Sequence, residues 1–299
     1  MSPKEKKETK LGLLYVLPAI LLIILVAFWP IVRTFYLSLF NLNLKFHFAT
    51  RFVGLKNYIK LLSEDRFWND TKVTFLFTIV SVSLELFFGL LIALAINKQF
   101  KGRGFVRASV LVPWAIPTVA SAMMWRIMYS DQFGVVNDIL KKLHLIKNYI
   151  PFTSASETTA FWAMVVADVW KTTPFMALLL LAGLQVIPKQ LYEAASIDGA
   201  SKWKQFWRIT LPLLKPSILV ALVFRTLDAF RAFDIAVVLT GGGPGNSTEL
   251  LTLYNYKLYM EFLNFGKGSA LSILIFLFTM GISFFFIKVL GANPYSEGK

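Results

Sequence analysis

Six apolar runs, at roughly 11–32, 73–96, 106–128, 159–185, 217–240 and 268–289, leave this chain few ways to fold. Each comes close to the ~20 residues that an α-helix needs to cross the hydrocarbon core of a bilayer. Inside lipid every backbone polar group must be satisfied within the segment, so runs of this length are read as helices. The composition agrees: 56% of the 299 residues are hydrophobic and 28 are Phe, with a mean hydropathy of +0.61. That is more apolar surface than one water-soluble core requires. The expected fold is all-α, a polytopic membrane bundle of six transmembrane helices.

Charge sets the orientation. The net charge of +14 comes without basic stretches interleaved with aromatics on a soluble fold. Cationic loops beside membrane lipid account for it, and nucleic acid is not expected as a partner. With a cytoplasmic N-terminus, the inside segments 1–10, 98–107, 186–215 and 288–299 hold 15 Lys or Arg in 62 residues, against 12 in the 96 residues of the outside segments. The short stretch Asn97–Arg107, NKQFKGRGFVR, is the clearest marker. Both termini are therefore expected in the cytoplasm. The first run follows Lys4, Lys6, Lys7 and Lys10 and exceeds a signal-peptide core, so a retained span is expected.

The expected division of the chain is 1–72 for a first helix and external loop, 73–290 for the transmembrane core and 291–299 for a tail. No connecting stretch is long enough for a separate soluble domain. Pro18, Pro113, Pro117 and Pro174 fall within runs and should kink them. The chain has no Cys, and His47 and His144 stand alone in loops, so disulfides and a His or Cys metal site are not expected.

One polar stretch resists the membrane reading: Glu193–Pro212, EAASIDGASKWKQFWRITLP. A short helix over Leu191–Ala200 should end near Gly199, and Ser201 is placed to cap a second short helix carrying Trp203, Phe206 and Trp207 on one face. An interfacial helix explains the aromatic stripe with Lys202, Lys204 and Arg208 beside it. It does not explain Glu193, Ala194 and Ala195 at a bend. Small side chains there admit another backbone, and Glu193 can pair with a basic group on a soluble partner.

The stretch resembles the EAA loop of binding-protein-dependent ABC importer permeases: Glu193-Ala194-Ala195, then Gly199, Ile209, Leu211 and Pro212 at the family's spacing. Tyr15–Asn41, Phe52–Leu62 and Phe233–Thr248 are similar to the sugar-transport (MalF/UgpA-type) branch. The resemblance implies a permease subunit that forms a pathway with a second permease. It implies two ATPase subunits that use ATP and Mg and grip the EAA loop (186–215) through its coupling helix, and an extracytoplasmic sugar-binding protein. This chain has no Walker lysine motif, so no catalytic residue and no cofactor of its own are expected. The Gly241–Gly245 run lacks the Lys-Ser/Thr of a phosphate loop and reads as an external turn. The implied setting is the plasma (inner) membrane of a bacterium or archaeon, and the implied cargo a disaccharide or oligosaccharide such as maltose or trehalose.

Ionisable residues inside spans mark a pathway or an internal ion pair. Asp168, Thr172 and Phe175 share one helical face, as do Arg225, Ala229 and Ala232, with Asp228 about 60° round from Arg225. Charged groups with a hydroxyl, a ring and small alanines suit sugar hydroxyls and apolar sugar faces. An ion pair of Arg225 with Asp168 or Asp228 that locks two helices uses the same residues. Continued helical drift turns Arg231 and Asp234 away from this face, toward structural or partner contacts, and Glu85 is a buried carboxylate with no evident partner. A secondary transporter fits six spans but not the EAA loop. A membrane enzyme lacks DDxxD, HExxH or any Cys or His cluster.

Overall fold

The computed structural model describes residues 3–45 and 50–290; His47 and the tail 291–299 lie outside this range. The first apolar run forms α1 (Pro3–Ile23) and α2 (Trp29–Ser38), joined by a π turn at Ile24–Phe28. Pro30 lies just beyond that turn. Its ring would crowd the carbonyl four residues back in a regular helix, and the wider turn makes room. A two-residue antiparallel pair follows, β1 (Phe40–Asn41) with β2 (Arg51–Phe52), and then α3 (Lys56–Leu62). The Asn57 carboxamide donates to the carbonyls of Ser38 at 2.7 Å and Phe40 at 2.9 Å, so it ties α3 to the end of α2.

The remaining elements are helical: α4 (Asp65–Asn97), α5 (Arg103–Ala115), α6 (Thr118–Met128), α7 (Val135–Lys142), α8 (Glu157–Val186), α9 (Lys189–Ile197), α10 (Lys202–Gln205), α11 (Leu211–Phe230), α12 (Asp234–Leu239), α13 (Leu251–Met260) and α14 (Phe265–Leu290). The chain divides into two compact units, Met1–Glu64 with Asn255–Leu277 and Asp65–Tyr254 with Phe278–Lys299. In the first, Lys267 pairs with Glu64 at 2.6 Å. In the second, α4, α8 and α11 pack against one another around two apolar clusters, one including Phe77, Met164 and Leu239 and the other Met176, Leu180 and Leu214. Two glycines set the closeness of this packing. A Cβ on Gly89 would sit 2.7 Å from Met176 Cγ, and one on Gly183 2.2 Å from Ser217 Oγ. Small residues let helix backbones approach where hydrophobic force between helices is absent.

Among the described residues five helices are long and apolar enough to cross a membrane, and α5 with α6, as a bent pair, make six if the pair is counted as one span. Helices continue through Pro18, Pro113 and Pro174, whereas the expected kink at Pro117 breaks the run 106–128. Its two halves meet at 90°, because Pro117 pushes Ile116 into an extended conformation at φ −71°, ψ 132°. The expected span 217–240 is corrected. The helical run is Lys202–Phe230, and Arg231 closes it at φ −102°, ψ 12°.

Candidate functional site

A buried polar group of the second unit is built by three helices. α4 supplies Glu85, α8 supplies Asp168 and Thr172, and α11 supplies Arg225 and Asp228. Arg225 grips Glu85 with both arms, Nε to Oε2 at 2.5 Å and Nη2 to Oε1 at 2.7 Å. Its Nη2 also reaches Asp168 Oδ2 at 3.5 Å, and its Nη1 donates to Asp228. The Thr172 hydroxyl lies 2.7 Å from Glu85 Oε1 and 2.6 Å from the Asp168 carbonyl. Glu85 is wholly buried and Arg225 is 2% exposed. Burying such charges is tolerable only with close pairing, which the bidentate geometry supplies. The partner that sequence could not name for Glu85 is therefore Arg225, 140 residues away.

This knot forms part of the wall of a cavity of about 630 Å³. The seven residues singled out from helical spacing, Asp168, Thr172, Phe175, Arg225, Asp228, Ala229 and Ala232, all line it. Only Asp228 among the knot's carboxylates is widely open, its side chain 71% exposed. Sequence reasoning missed two further features. Trp114, at the end of α5, stacks on Phe175 with ring centroids 5.5 Å apart and 16° between planes. Lys171, otherwise buried, also faces the cavity. The expected outward direction of Arg231 and Asp234 is corrected, for both line the same cavity. The extrapolation assumed one helix through residue 234, whereas α11 ends at Phe230 and the chain turns before α12.

At the far end of α8 the chain makes an elbow. Helix α9 carries Glu193, Ala194 and Ala195, with Glu193 and Ala194 exposed and Ile197 87% exposed. It ends in a left-handed cap: Gly199 has φ +75°, its N–H donates to Ser196 O at 3.2 Å, and the N–H of Ala200 donates to Ala195 O at 2.8 Å. Glycine is favoured there because a Cβ strains this conformation. Nothing lies within 4 Å of where that Cβ would be. Ser201 then caps the next helix, accepting from the N–H of Lys204 at 3.3 Å.

The expected second short helix is instead the start of the span. α10 continues into α11 through a π turn at Phe206–Thr210, with Pro212 just beyond. The cause is the one at Pro30. Ile209 packs against the apolar cluster of Leu214, Leu211 is half-buried and Pro212 is exposed. Two bridges hold the elbow's angle. Gln205 Nε2 donates to Ser196 Oγ at 2.9 Å and to Ala200 O at 3.1 Å, and Tyr192 meets Thr210 through their hydroxyls at 3.0 Å. The elbow is rigid on its inner side and open on its outer side.

The described residues form a helical membrane bundle with a polar cavity and an exposed elbow following one of its core helices. The chain belongs to the binding-protein-dependent transport system inner membrane component family, whose profile matches residues 85–290. It is 48% identical to the trehalose/maltose transport system permease protein MalF of Thermococcus litoralis over 96% of both chains. It is 41% identical to the trehalose transport system permease protein SugA of Mycobacterium tuberculosis (strain H37Rv), covering 95% of this chain and 90% of that one. Among solved structures, a bacterial ABC transporter involved in the import of the acidic polysaccharide alginate aligns over 96% of both chains with a TM-score of 0.80 and 25% identity.

Proposed function

We propose that this chain is the pathway-forming permease subunit of an ATP-driven ABC sugar importer, with a disaccharide or short oligosaccharide such as trehalose or maltose as its cargo. The observation that carries the reading is the cavity. It joins the stacked Trp114 and Phe175 rings to the open Asp228 carboxylate and to Lys171 and Arg231 on one intramembrane wall. Rings cover apolar sugar faces, and charged groups bond sugar hydroxyls directionally. The names of the trehalose and maltose relatives support the cargo class.

In this reading a second permease completes the pathway, an extracytoplasmic binding protein delivers the sugar, and two ATPase subunits using ATP and Mg receive the α9 elbow in a cleft. Glu193, Ala194, Ala195 and Gly199 form the docking face; Ile209, Leu211 and Pro212 root it in the bundle. The elbow and both termini are cytoplasmic. A reporter active only outside the cytoplasm is then active after Asn137 and Gly245 and silent after Lys101 and Lys204.

The test is uptake of labelled trehalose and maltose into proteoliposomes holding the complete transporter and its binding protein. Uptake that requires internal-facing ATP and the binding protein supports the proposal. Uptake driven by a proton or sodium gradient without ATP overturns it and makes the chain a secondary transporter.

A further inference from the structure

The connection between α6 and α8 carries an apolar stripe that the transport reading leaves unused. On α7, Val135, Ile139 and the capping Leu143 recur every four residues and are all exposed, Ile139 by 51% and Leu143 by 62%. Phe133 and Leu145, on either side of the helix, are exposed as well. A second apolar strip on the same helix, Val136 and Leu140, turns inward, and Val136 packs on the core cluster. The helix is therefore apolar on two adjacent sides, one half-buried against its own protein and one open.

The open side is held in place. Asn137 is fully buried, and its carboxamide donates to Ser130 O and Ile150 O and accepts from the N–H of Ile150, each at 2.9 Å. This pins the helix to both strands of its own loop, so the stripe is presented in a fixed direction.

Its level relative to the bilayer follows from its neighbours. Val136 shares a slot of about 540 Å³ with Trp125, Tyr129, Phe152 and Trp162. Trp and Tyr gather where hydrocarbon gives way to headgroups. α7 precedes the start of α8 and the elbow follows its end, and that 30-residue helix is long enough to separate the two membrane surfaces. On α7 and the turn after it, Lys141, Lys142 and Lys147 are exposed, as is His144. The acids of the same connection are Asp131 and Glu157, which are exposed, and Asp138, which accepts a hydrogen bond from the Tyr149 hydroxyl. Lys141 also lies over the Tyr149 ring at 5.2 Å.

We infer that α7 is an interfacial helix that docks on an acidic lipid surface at the membrane face opposite the elbow, its Val135/Ile139/Leu143 stripe among the acyl chains and its lysines at the phosphates. Apolar area together with attraction of lysines to anionic lipid is what holds such helices. A protein partner at the stripe is the competing occupant.

Because the chain has no native cysteine, a nitroxide can be placed at Ile139→Cys alone, and at Leu143→Cys as a second site, in the full chain. Each is reconstituted in nanodiscs of phosphatidylglycerol or of phosphatidylcholine, and collisions with oxygen and with a water-soluble nickel chelate are compared. The expected result in phosphatidylglycerol is a label open to oxygen and shielded from nickel. Adding Lys141→Gln and Lys142→Gln should lower the ratio of immersed to water-exposed label by roughly tenfold, with unchanged thermal melting. Nickel access at both sites in both lipids overturns the inference. So does immersion that is the same in the two lipids and indifferent to the lysines. Shielding that appears only when the second permease or the binding protein is added assigns the stripe to a protein and overturns it too.

Discussion

The charge knot at the cavity wall and the α9 elbow are both polar features in an apolar chain, yet they solve opposite problems. In the knot, Arg225 and Glu85 satisfy each other with almost no exposed surface, and α4, α8 and α11 are bound together by the result. In the elbow, Gln205 and Tyr192 fix the geometry from beneath, while Glu193, Ala194 and Ile197 face outward. A group that is satisfied internally carries stability; a rigid group left open carries recognition. The cavity combines the two, since Asp228 touches Arg225 and yet opens to the cavity.

The contrast breaks most visibly at Arg225. Arg225→Ala leaves Glu85 buried without its partner, and thermal or denaturant unfolding of the purified protein should show a loss of about 3–5 kcal/mol. The double replacement Glu85→Leu with Arg225→Met removes both charges and should recover part of that loss, Asp168 being left without its Arg225 contact. If the single variant melts normally, the knot does not bind the helices.

At the elbow the order of effects reverses. Gly199→Asp places a Cβ at φ +75°, a strain on the order of 1–2 kcal/mol, and adds charge to the proposed docking face. The protein should insert and fold, but co-purification with the ATPase subunits and coupled transport should be lost. Retained ATPase association in that variant removes α9 from the coupling role. A smaller effect is expected at Gln205→Ala, which deletes the bridge to Ser196 and Ala200. Melting should change by about 0.5–1.5 kcal/mol, with ATPase stimulation per complex reduced because the elbow's angle is no longer fixed.

How far these regions could be read from sequence follows from the range of the interactions that build them. The elbow is local. Its cap at Gly199, its restart at Ser201 and the family spacing to Pro212 all lie within one stretch, so the turn was legible, though the fusion of α10 with α11 was not, because the π turn answers to Pro212. The cavity face was legible where helical geometry holds, at 168–175 and 225–229. It ceased to be legible at Arg231 and Asp234, because nothing in the apolar pattern marks the end of α11 at Phe230. Glu85 could be flagged as a costly intramembrane carboxylate, but its pairing with Arg225 joins helices far apart in the chain, and periodicity carries no information about such contacts. The break in the third span was half legible. Pro117 announced a kink, whereas α5 continues through Pro113, and the 90° turn required the structure.

Asp228→Asn tests the account most directly, because it alters a knot carboxylate that is bonded to Arg225 while its side chain is 71% exposed. Arg225 keeps Glu85 in this variant, so the melting temperature of the assembled transporter should hold. Sugar uptake per complex should fall by an amount on the order of 1.5–3 kcal/mol in transition free energy, the range for hydrogen bonds to charged groups. Normal uptake with lowered melting would contradict the account and leave the cavity wall a helix lock alone.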